Sequence, residues 1–114
     1  PFFRLMWIPD DFSIQEAIYN KELDTLNIEF GNGENSIFVS QQTITENGVK
    51  NNVANDSFVS SVKNKNLSQT IEIYRDVSNN GLYFRIDYEN IRLDCYTEVS
   101  LTECETLAVS IEFE

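Results

Sequence analysis

Carboxylates and cysteines are the residues of this chain whose chemistry could build a reactive site. The 114-residue sequence contains no His, which excludes an imidazole base, Ser-His and Cys-His pairs and any His-ligated metal. Carboxylate acid–base catalysis would need converging groups, and Asp10-Asp11 is the only adjacent Asp pair. Neighbouring side chains point apart in a strand, so this pair after Pro9 predicts a turn. The sequence therefore predicts no enzyme and no catalytic residues.

A calcium loop is the metal site that the sequence most nearly matches. Asp76, Ser78, Asn80 and Gly81 have the spacing of an EF-hand start, with Asp87 at the twelfth position. The motif requires flanking helices, and both flanks have the alternation of strands, so the segment predicts a hairpin turn. We expect neither a metal nor a cofactor.

Cys95 and Cys104 form an even pair without a CxxC motif. A zinc site would need Cys and carboxylates alone, which is an uncommon ligand set. Cys95 lies on the apolar face of a predicted strand, and Cys104 lies on the apolar face of the predicted helix that follows. We expect the two to be close, and joined in a disulfide if the protein is outside the cytoplasm. Two buried thiols that act as small hydrophobes are the alternative.

Tyr83 and Tyr96 are aromatic residues on the predicted polar faces of two strands. They are candidates for a ligand surface. The alternative is a minor core beneath the polar segment 43–66.

The strands that must position these residues follow from alternation of apolar and polar side chains. Residues 25–42 predict a β-hairpin with a loop of about five residues around Gly31-Asn32-Gly33. Residues 71–74 predict a strand, and residues 82–99 predict two strands joined by a tight turn at Glu89-Asn90. Residues 13–19 have a mixed pattern that settles no element type.

A helix is predicted after Ser100, where the period of the apolar residues changes from two to 3.6. The apolar stripe comprises Leu101, Cys104, Leu107, Ala108 and Ile111. Ser100 and Glu103 form a capping box at its start.

The fold class predicted is α+β, a curved antiparallel sheet of about five to six strands with the C-terminal helix packed on one face. Residues 1–114 form a single domain. For the segment 43–66 we expect either a short helix that begins at Asp56 or Ser57 and contains Phe58 and Val62, or a mobile loop. The predicted core comprises Trp7, Ile28, Phe30, Val39, Ile73, Phe84, Ile86, Leu93, Cys104, Leu107 and Ile111.

The formal net charge of −11 limits the partners. A polyanion would be repelled, so no nucleic acid is expected, and anionic membrane surfaces are disfavoured. No run of about 18 apolar residues is present that could span a bilayer. The chain begins at Pro1 rather than Met, from which we expect a longer protein with any membrane tether upstream.

Three stretches of the chain resemble the DUF4367 family of bacterial domains. They are Trp7-Ile8-Pro9-Asp10-Asp11-Phe12, similar to an aromatic-x-Pro-x-Gly-aromatic opening, Ile37 to Gln42, similar to an I-x-V/I-x-Q strand, and Ser100 to Ile111, similar to S-x-E-E-L…A-x-S-I. The family occurs in lipoproteins and at the C-terminus of anti-sigma-factor-like membrane proteins. The resemblance implies an extracytoplasmic domain that is anchored to the membrane or exposed on the cell surface.

Three functions follow as hypotheses. The first is a non-enzymatic extracytoplasmic sensor or regulatory domain that binds a protein or cell-envelope ligand and touches the membrane only through an upstream tether. The second is a lipoprotein-like carrier that holds an apolar ligand between sheet and helix, and the third is an acidic inhibitor or immunity-type protein. A filled core favours the sensor over the carrier, and a carboxylate patch with aromatic residues at its centre favours the inhibitor.

Overall fold

The computed structural model describes residues 2–44 and 56–113, including Asp56 by its backbone alone. Within these residues the chain forms nine strands and one helix. In chain order they are β1 (Phe3–Leu5), β2 (Ser13–Asn20), β3 (Thr25–Gly31), β4 (Ser36–Thr43), β5 (Asp56–Asn64), β6 (Gln69–Asp76), β7 (Leu82–Tyr88), β8 (Ile91–Thr97), α1 (Leu101–Ser110) and β9 (Ile111–Phe113).

Seven of these strands form one antiparallel sheet in the order β2-β3-β4-β8-β7-β6-β5. The short strands β1 and β9 pair antiparallel in a separate two-stranded sheet. The predicted α+β class, an antiparallel sheet with a C-terminal helix, is confirmed. The predicted count of five to six strands is too low, because the large sheet alone has seven.

The edge strand β2 is one of the strands that the sequence did not predict. All eight of its residues are exposed, and a β-bulge interrupts its pairing with β3 between Ile14 and Glu16. A strand without a buried face has no reason to alternate apolar and polar side chains. For this reason the sequence of residues 13–19 did not reveal its element type.

The opposite edge strand, β5, corrects the prediction for segment 43–66. Residues 56–64 are extended and pair with β6, so the expected short helix and the alternative loop are both wrong for these residues. A bulge between Phe58 and Ser60 shifts the register. Phe58 therefore lies opposite Tyr74 and is exposed, whereas Val62 lies opposite the buried Ile71. Residues 45–55 lie outside the described part of the chain.

The predicted hairpins are confirmed. Strands β3 and β4 pair without a register shift, with Thr25 opposite Gln42 at one end and Gly31 opposite Ser36 at the other. Strands β7 and β8 meet at the turn Glu89-Asn90, where Glu89 has a φ of 55°. The segment with EF-hand spacing is the turn between β6 and β7, and its Asp76 Oδ1 accepts bonds from the Ser78 amide at 2.9 Å and hydroxyl at 2.6 Å. These bonds hold the pKa of Asp76 below its ordinary value.

Helix α1 begins with the predicted capping box. The Glu103 amide donates to Ser100 Oγ at 3.2 Å, and the Ser100 amide donates to Glu103 Oε1 at 3.2 Å. The helix ends one residue earlier than expected, because Ile111 begins β9 and pairs with Leu5. In the described part of the chain, no helix has the length and hydropathy to cross a bilayer.

The core lies between the sheet and α1, which packs against β5 and β7. Cys104, Leu107 and Ala108 of the helix are fully buried. They meet a sheet face whose central side chains, among them Phe84 and Leu93, are also fully buried. Of the predicted core residues, Trp7 and Ile28 are only partly buried, and the other nine are buried.

Asn64, at the end of β5, is the buried polar side chain that closes this core. Its amide nitrogen donates to the carbonyl oxygens of Ala108 at 2.9 Å and Ile111 at 2.8 Å. Its oxygen accepts from the Leu67 amide at 3.0 Å. These bonds satisfy carbonyl groups at the end of α1 that would otherwise lack partners.

Candidate functional site

Alternation along each strand gives the large sheet two different faces. On β4, Ile37 and Val39 are buried on the side of the helix, whereas Phe38 between them is 43% exposed. We call the side away from α1 the open face. Its side chains on β2 to β8 include Glu16, Ile18, Asn27, Glu29, Phe38, Ser40, Phe58, Glu72, Tyr74, Tyr83, Arg85, Asp87, Arg92, Asp94 and Tyr96.

An aromatic row crosses the open face, with one residue from each of five adjacent strands. Pairing places Phe38 opposite Tyr96, Tyr96 opposite Tyr83, Tyr83 opposite Tyr74, and Tyr74 opposite Phe58. The ring centroids are 6.4 Å apart for Phe38 and Tyr96, and 5.9 Å apart for Phe58 and Tyr74. With strands spaced about 4.8 Å apart, the row extends roughly 19 Å across the sheet.

Tyr83 and Tyr96, the two predicted ligand-surface residues, are adjacent members of this row, and Tyr83 is its central residue. Each is partly buried, and they lie directly opposite each other on β7 and β8. The structure brings them together with Phe38, Tyr74 and Phe58, which the sequence did not single out. Their role in ligand binding stays a prediction.

A groove with a volume of about 260 Å³ lies at one end of the aromatic row. Phe38, Tyr83 and Tyr96 contribute its aromatic surface, and Ile18 contributes an aliphatic one. Three carboxylates also line it, those of Glu16, Glu29 and Asp94. Among the residues that the structure describes (2–44 and 56–113), no Lys or Arg side chain lines the groove. The charge of the groove is therefore negative.

Asp94 is held in place by two neighbours on β7. The Tyr83 hydroxyl and the Arg85 Nε both donate to its Oδ1, each at 2.6 Å. The Arg85 guanidinium also lies 5.8 Å from the centroid of the Tyr83 ring, in a cation–π contact. Burial and the bond to Asp94 raise the pKa of the Tyr83 phenol above its ordinary value, so Tyr83 remains a neutral donor at physiological pH.

Gly81 fixes the position of the Tyr96 ring. A Cβ atom on Gly81 would lie 2.5 Å from Cζ of Tyr96 and nearer still to its hydroxyl oxygen. The ring therefore packs directly on the glycine backbone, and any side chain there would displace it. The sequence indicated only a turn at Gly81, because no local pattern reveals that this residue contacts Tyr96 on β8.

The two cysteines lie away from the open face. Cys95 and Cys104 are both fully buried in the core between sheet and helix, where the structure has them as thiols. Burial raises the pKa of Cys95, with a further contribution from Cys104, and burial raises the pKa of Cys104 to about 12. Such thiols stay protonated and unreactive at neutral pH. A disulfide between them stays a prediction.

Asp10 and Asp11 occupy a turn, as predicted. The Phe12 amide donates to the Pro9 carbonyl at 3.0 Å, which closes the turn. Asp11 Oδ2 accepts from Asn32 Nδ2 at 2.9 Å, so this carboxylate connects two loops. Within the described residues, no three Cys, Asp or Glu side chains converge as metal ligands do.

No family model matches the chain, and no curated protein matches it. The resemblance to the DUF4367 family therefore stays a prediction. Among solved structures, a chain in the crystal structure of MucB in complex with MucA(peri) is similar over 98% of this chain, with 15% sequence identity and a TM-score of 0.48. The match covers 36% of that chain, and a likeness at this level carries no information about the activity or partner of the present one.

Proposed function

We propose that this chain is a non-enzymatic, extracytoplasmic sensor or regulatory domain, and that its open face binds a protein partner. The aromatic row with its adjoining groove is the observation that carries this proposal. It is supported by the contrast between the two faces of the sheet: one packs against α1 and the N-terminal segment, and the other presents five aromatic side chains.

Aromatic residues are enriched in protein interfaces, and Tyr and Trp often supply the energetically dominant contacts. Phe38 and Phe58 are 43% and 57% exposed, although their rings are large and apolar. The length of the row suits a polypeptide better than a small metabolite, which would fit within one pocket.

A non-enzymatic role is supported by the chemistry of the same surface. Asp94, the carboxylate nearest the centre of the row, is engaged by Tyr83 and Arg85. The groove offers carboxylates and phenols, without an imidazole base or a thiolate. Binding needs only complementary shape and charge, which the row and the groove supply.

The filled core between α1 and the sheet speaks for a sensor rather than for a carrier with its ligand at that interface. Leu107, Ala108, Ile73 and Phe84 have no exposed surface. A carrier function has support at a different place, an open groove of about 510 Å³ lined mainly by apolar side chains of β1, β2 and β3, including Phe3, Ile14 and Phe30. Binding of a fluorescent fatty acid that is lost in Ile14→Asp would favour this second candidate.

Site-specific photocrosslinking in the cells that make the protein tests the main proposal. Phe38 is replaced by p-benzoylphenylalanine, and Val109 on the helix serves as the matched control because both positions are 43% exposed. We expect a crosslinked protein of defined mass from position 38, absent from position 109 and lost when Tyr96→Ser is added. Equal crosslinking from both positions, or none from position 38, would refute an interface on the open face.

A further inference from the structure

We propose that the partner presents an arginine-bearing, otherwise apolar segment to the open face, and that one guanidinium group occupies the groove beside the aromatic row. This inference rests on the proposed function and specifies the chemical class of the partner. Its basis is the charge and shape of the groove together with the way the protein holds its own Arg85.

Arg85 shows how the open face accommodates a guanidinium group. Its Nε donates to Asp94 Oδ1 at 2.6 Å, and its guanidinium carbon lies 5.8 Å from the Tyr83 ring centroid. The pair is partly buried, with side-chain exposures of 19% for Arg85 and 21% for Asp94. A carboxylate and an aromatic face thus combine to hold a planar cation, as the geometry of guanidinium favours.

The groove presents a similar combination of aromatic rings and carboxylates, and no arginine of the described residues lines it. Its aromatic walls are Phe38, Tyr83 and Tyr96. Because Arg85 already engages Asp94, the groove carboxylates left to meet a partner are those of Glu16 and Glu29. A lysine would satisfy the charge, but a guanidinium can also stack on a ring while it donates several hydrogen bonds. The composition therefore fits arginine better.

The remainder of the segment should be apolar, because the groove continues into the aromatic row. Ile18 is 51% exposed at the near end, and Phe58 is 57% exposed at the far end. A second copy of this chain does not suit the face, since the formal net charge is −11 and the groove carries carboxylates that would repel their own copies.

The test uses blocked synthetic peptides of five Arg-Leu, Gln-Leu or Glu-Leu repeats as probes, with the isotope-labelled protein followed by NMR. We expect the Arg-Leu peptide to shift the resonances of Phe38, Tyr83 and Tyr96, with an affinity that falls as salt is added. The Gln-Leu peptide should bind at least about 5-fold more weakly, as loss of a few partly exposed charge pairs implies. The Glu-Leu peptide should leave the open face unperturbed.

A pair of double variants separates a specific groove from general attraction between opposite charges. Glu16→Gln with Glu29→Gln removes two groove carboxylates, whereas Glu22→Gln with Glu34→Gln removes two exposed carboxylates from turns. We expect the first double variant to bind the Arg-Leu peptide about 5-fold more weakly, and the second to change the affinity less than about 2-fold.

Three outcomes would overturn the inference: equal effects of the two double variants, equal affinity for the Arg-Leu and Gln-Leu peptides, or shifts confined to another surface. Photocrosslinking from position 38 is independent of the peptides. A partner crosslinked there whose capture is unaffected by Glu16→Gln with Glu29→Gln would leave the interface standing while refuting its basic character. If no partner is crosslinked from position 38 even with Glu16 and Glu29 intact, both proposals are refuted.

Discussion

Tyr83 and Asp94, on neighbouring strands β7 and β8, share a hydrogen bond of 2.6 Å on the open face of the sheet. The same Asp94 oxygen accepts from Arg85. This small network links the aromatic row to the charged part of the groove, because one of its members belongs to both. Its integrity can be tested separately from any partner.

Removing the hydroxyl group in Tyr83→Phe should lower the free energy of unfolding by about 1 kcal/mol, the usual net contribution of such a bond. Urea denaturation measures the change. Tyr88→Phe is the matched control, because the Tyr88 ring stacks on Phe113 at 4.7 Å and the substitution keeps the ring. Equal losses in the two variants would contradict a specific contribution from the bond to Asp94.

Adding a methyl group in Gly81→Ala should displace the Tyr96 ring and destabilise the protein by about 1–3 kcal/mol, as overpacking does. The displaced ring should be visible as changed chemical shifts of Tyr96 in NMR spectra. In Tyr96→Ala the clashing ring is absent, so Gly81→Ala should cost much less in that background. An identical cost in both backgrounds would show that the strain lies elsewhere.

Removing the buried amide in Asn64→Ala should lower the free energy of unfolding by about 1–3 kcal/mol or more, because the carbonyls of Ala108 and Ile111 lose their donor inside the core. The exposed Asn66 in the following turn provides the control Asn66→Ala. Thermal or urea unfolding compares the two variants. A loss no larger than in Asn66→Ala would refute the role of Asn64 in closing the end of the helix.

Under reducing conditions the protein should lose stability as the pH rises above about 9. The pKa values of Cys95 and Cys104 are raised in the folded state from an ordinary 9.0, and that of Tyr83 is raised from 10.0. The folded state therefore retains protons that the unfolded chain releases, so the stabilisation is complete below the ordinary values and declines above them. Urea unfolding between about pH 8 and about pH 11 measures this decline.

The Cys95→Ala, Cys104→Ala double variant isolates the thiol contribution to the pH dependence. The loss of stability that begins near the ordinary thiol pKa of 9.0 should disappear in this variant. The loss of stability above the ordinary tyrosine pKa of 10.0 should remain. An unchanged profile would show that the thiols do not contribute.

A disulfide between Cys95 and Cys104 is expected when the protein is purified from an oxidising compartment. It would close a short loop and stabilise the fold by about 2–3 kcal/mol in the chain-entropy model. Thiol titration of the denatured, unreduced protein is the measurement. Two free thiols per chain would refute the bond and leave the pair as buried hydrophobic residues.

Local patterns were sufficient for much of the fold. The hairpin of β3 and β4, the strands β7 and β8 and the capped helix α1 were all predicted, because each buries one face and so has a regular apolar period. The exposed β2 has no such period, and the bulged β5 breaks its own. Both edge strands were missed for that physical reason.

The candidate site was predictable only in part. The alternation of β7 and β8 placed Tyr83 and Tyr96 on the face away from the core, and the structure has them there. Phe38 and Phe58 come from distant parts of the chain. For the segment that contains Phe58, the sequence left a short helix and a mobile loop as alternatives. The membership of Phe38 and Phe58 in one row depends on the pairing of β4 with β8 and of β5 with β6, which no local pattern specifies.

The amino-acid sequence by itself determined which faces of its strands are apolar, where the helix begins and which catalytic groups are absent, since these depend on residue type and local spacing. The order of the strands was decided only in the folded chain, because pairing between distant segments depends on how all seven strands pack together. That order brings five aromatic side chains and the three carboxylates of the groove onto one surface. The proposed binding function rests on this tertiary arrangement.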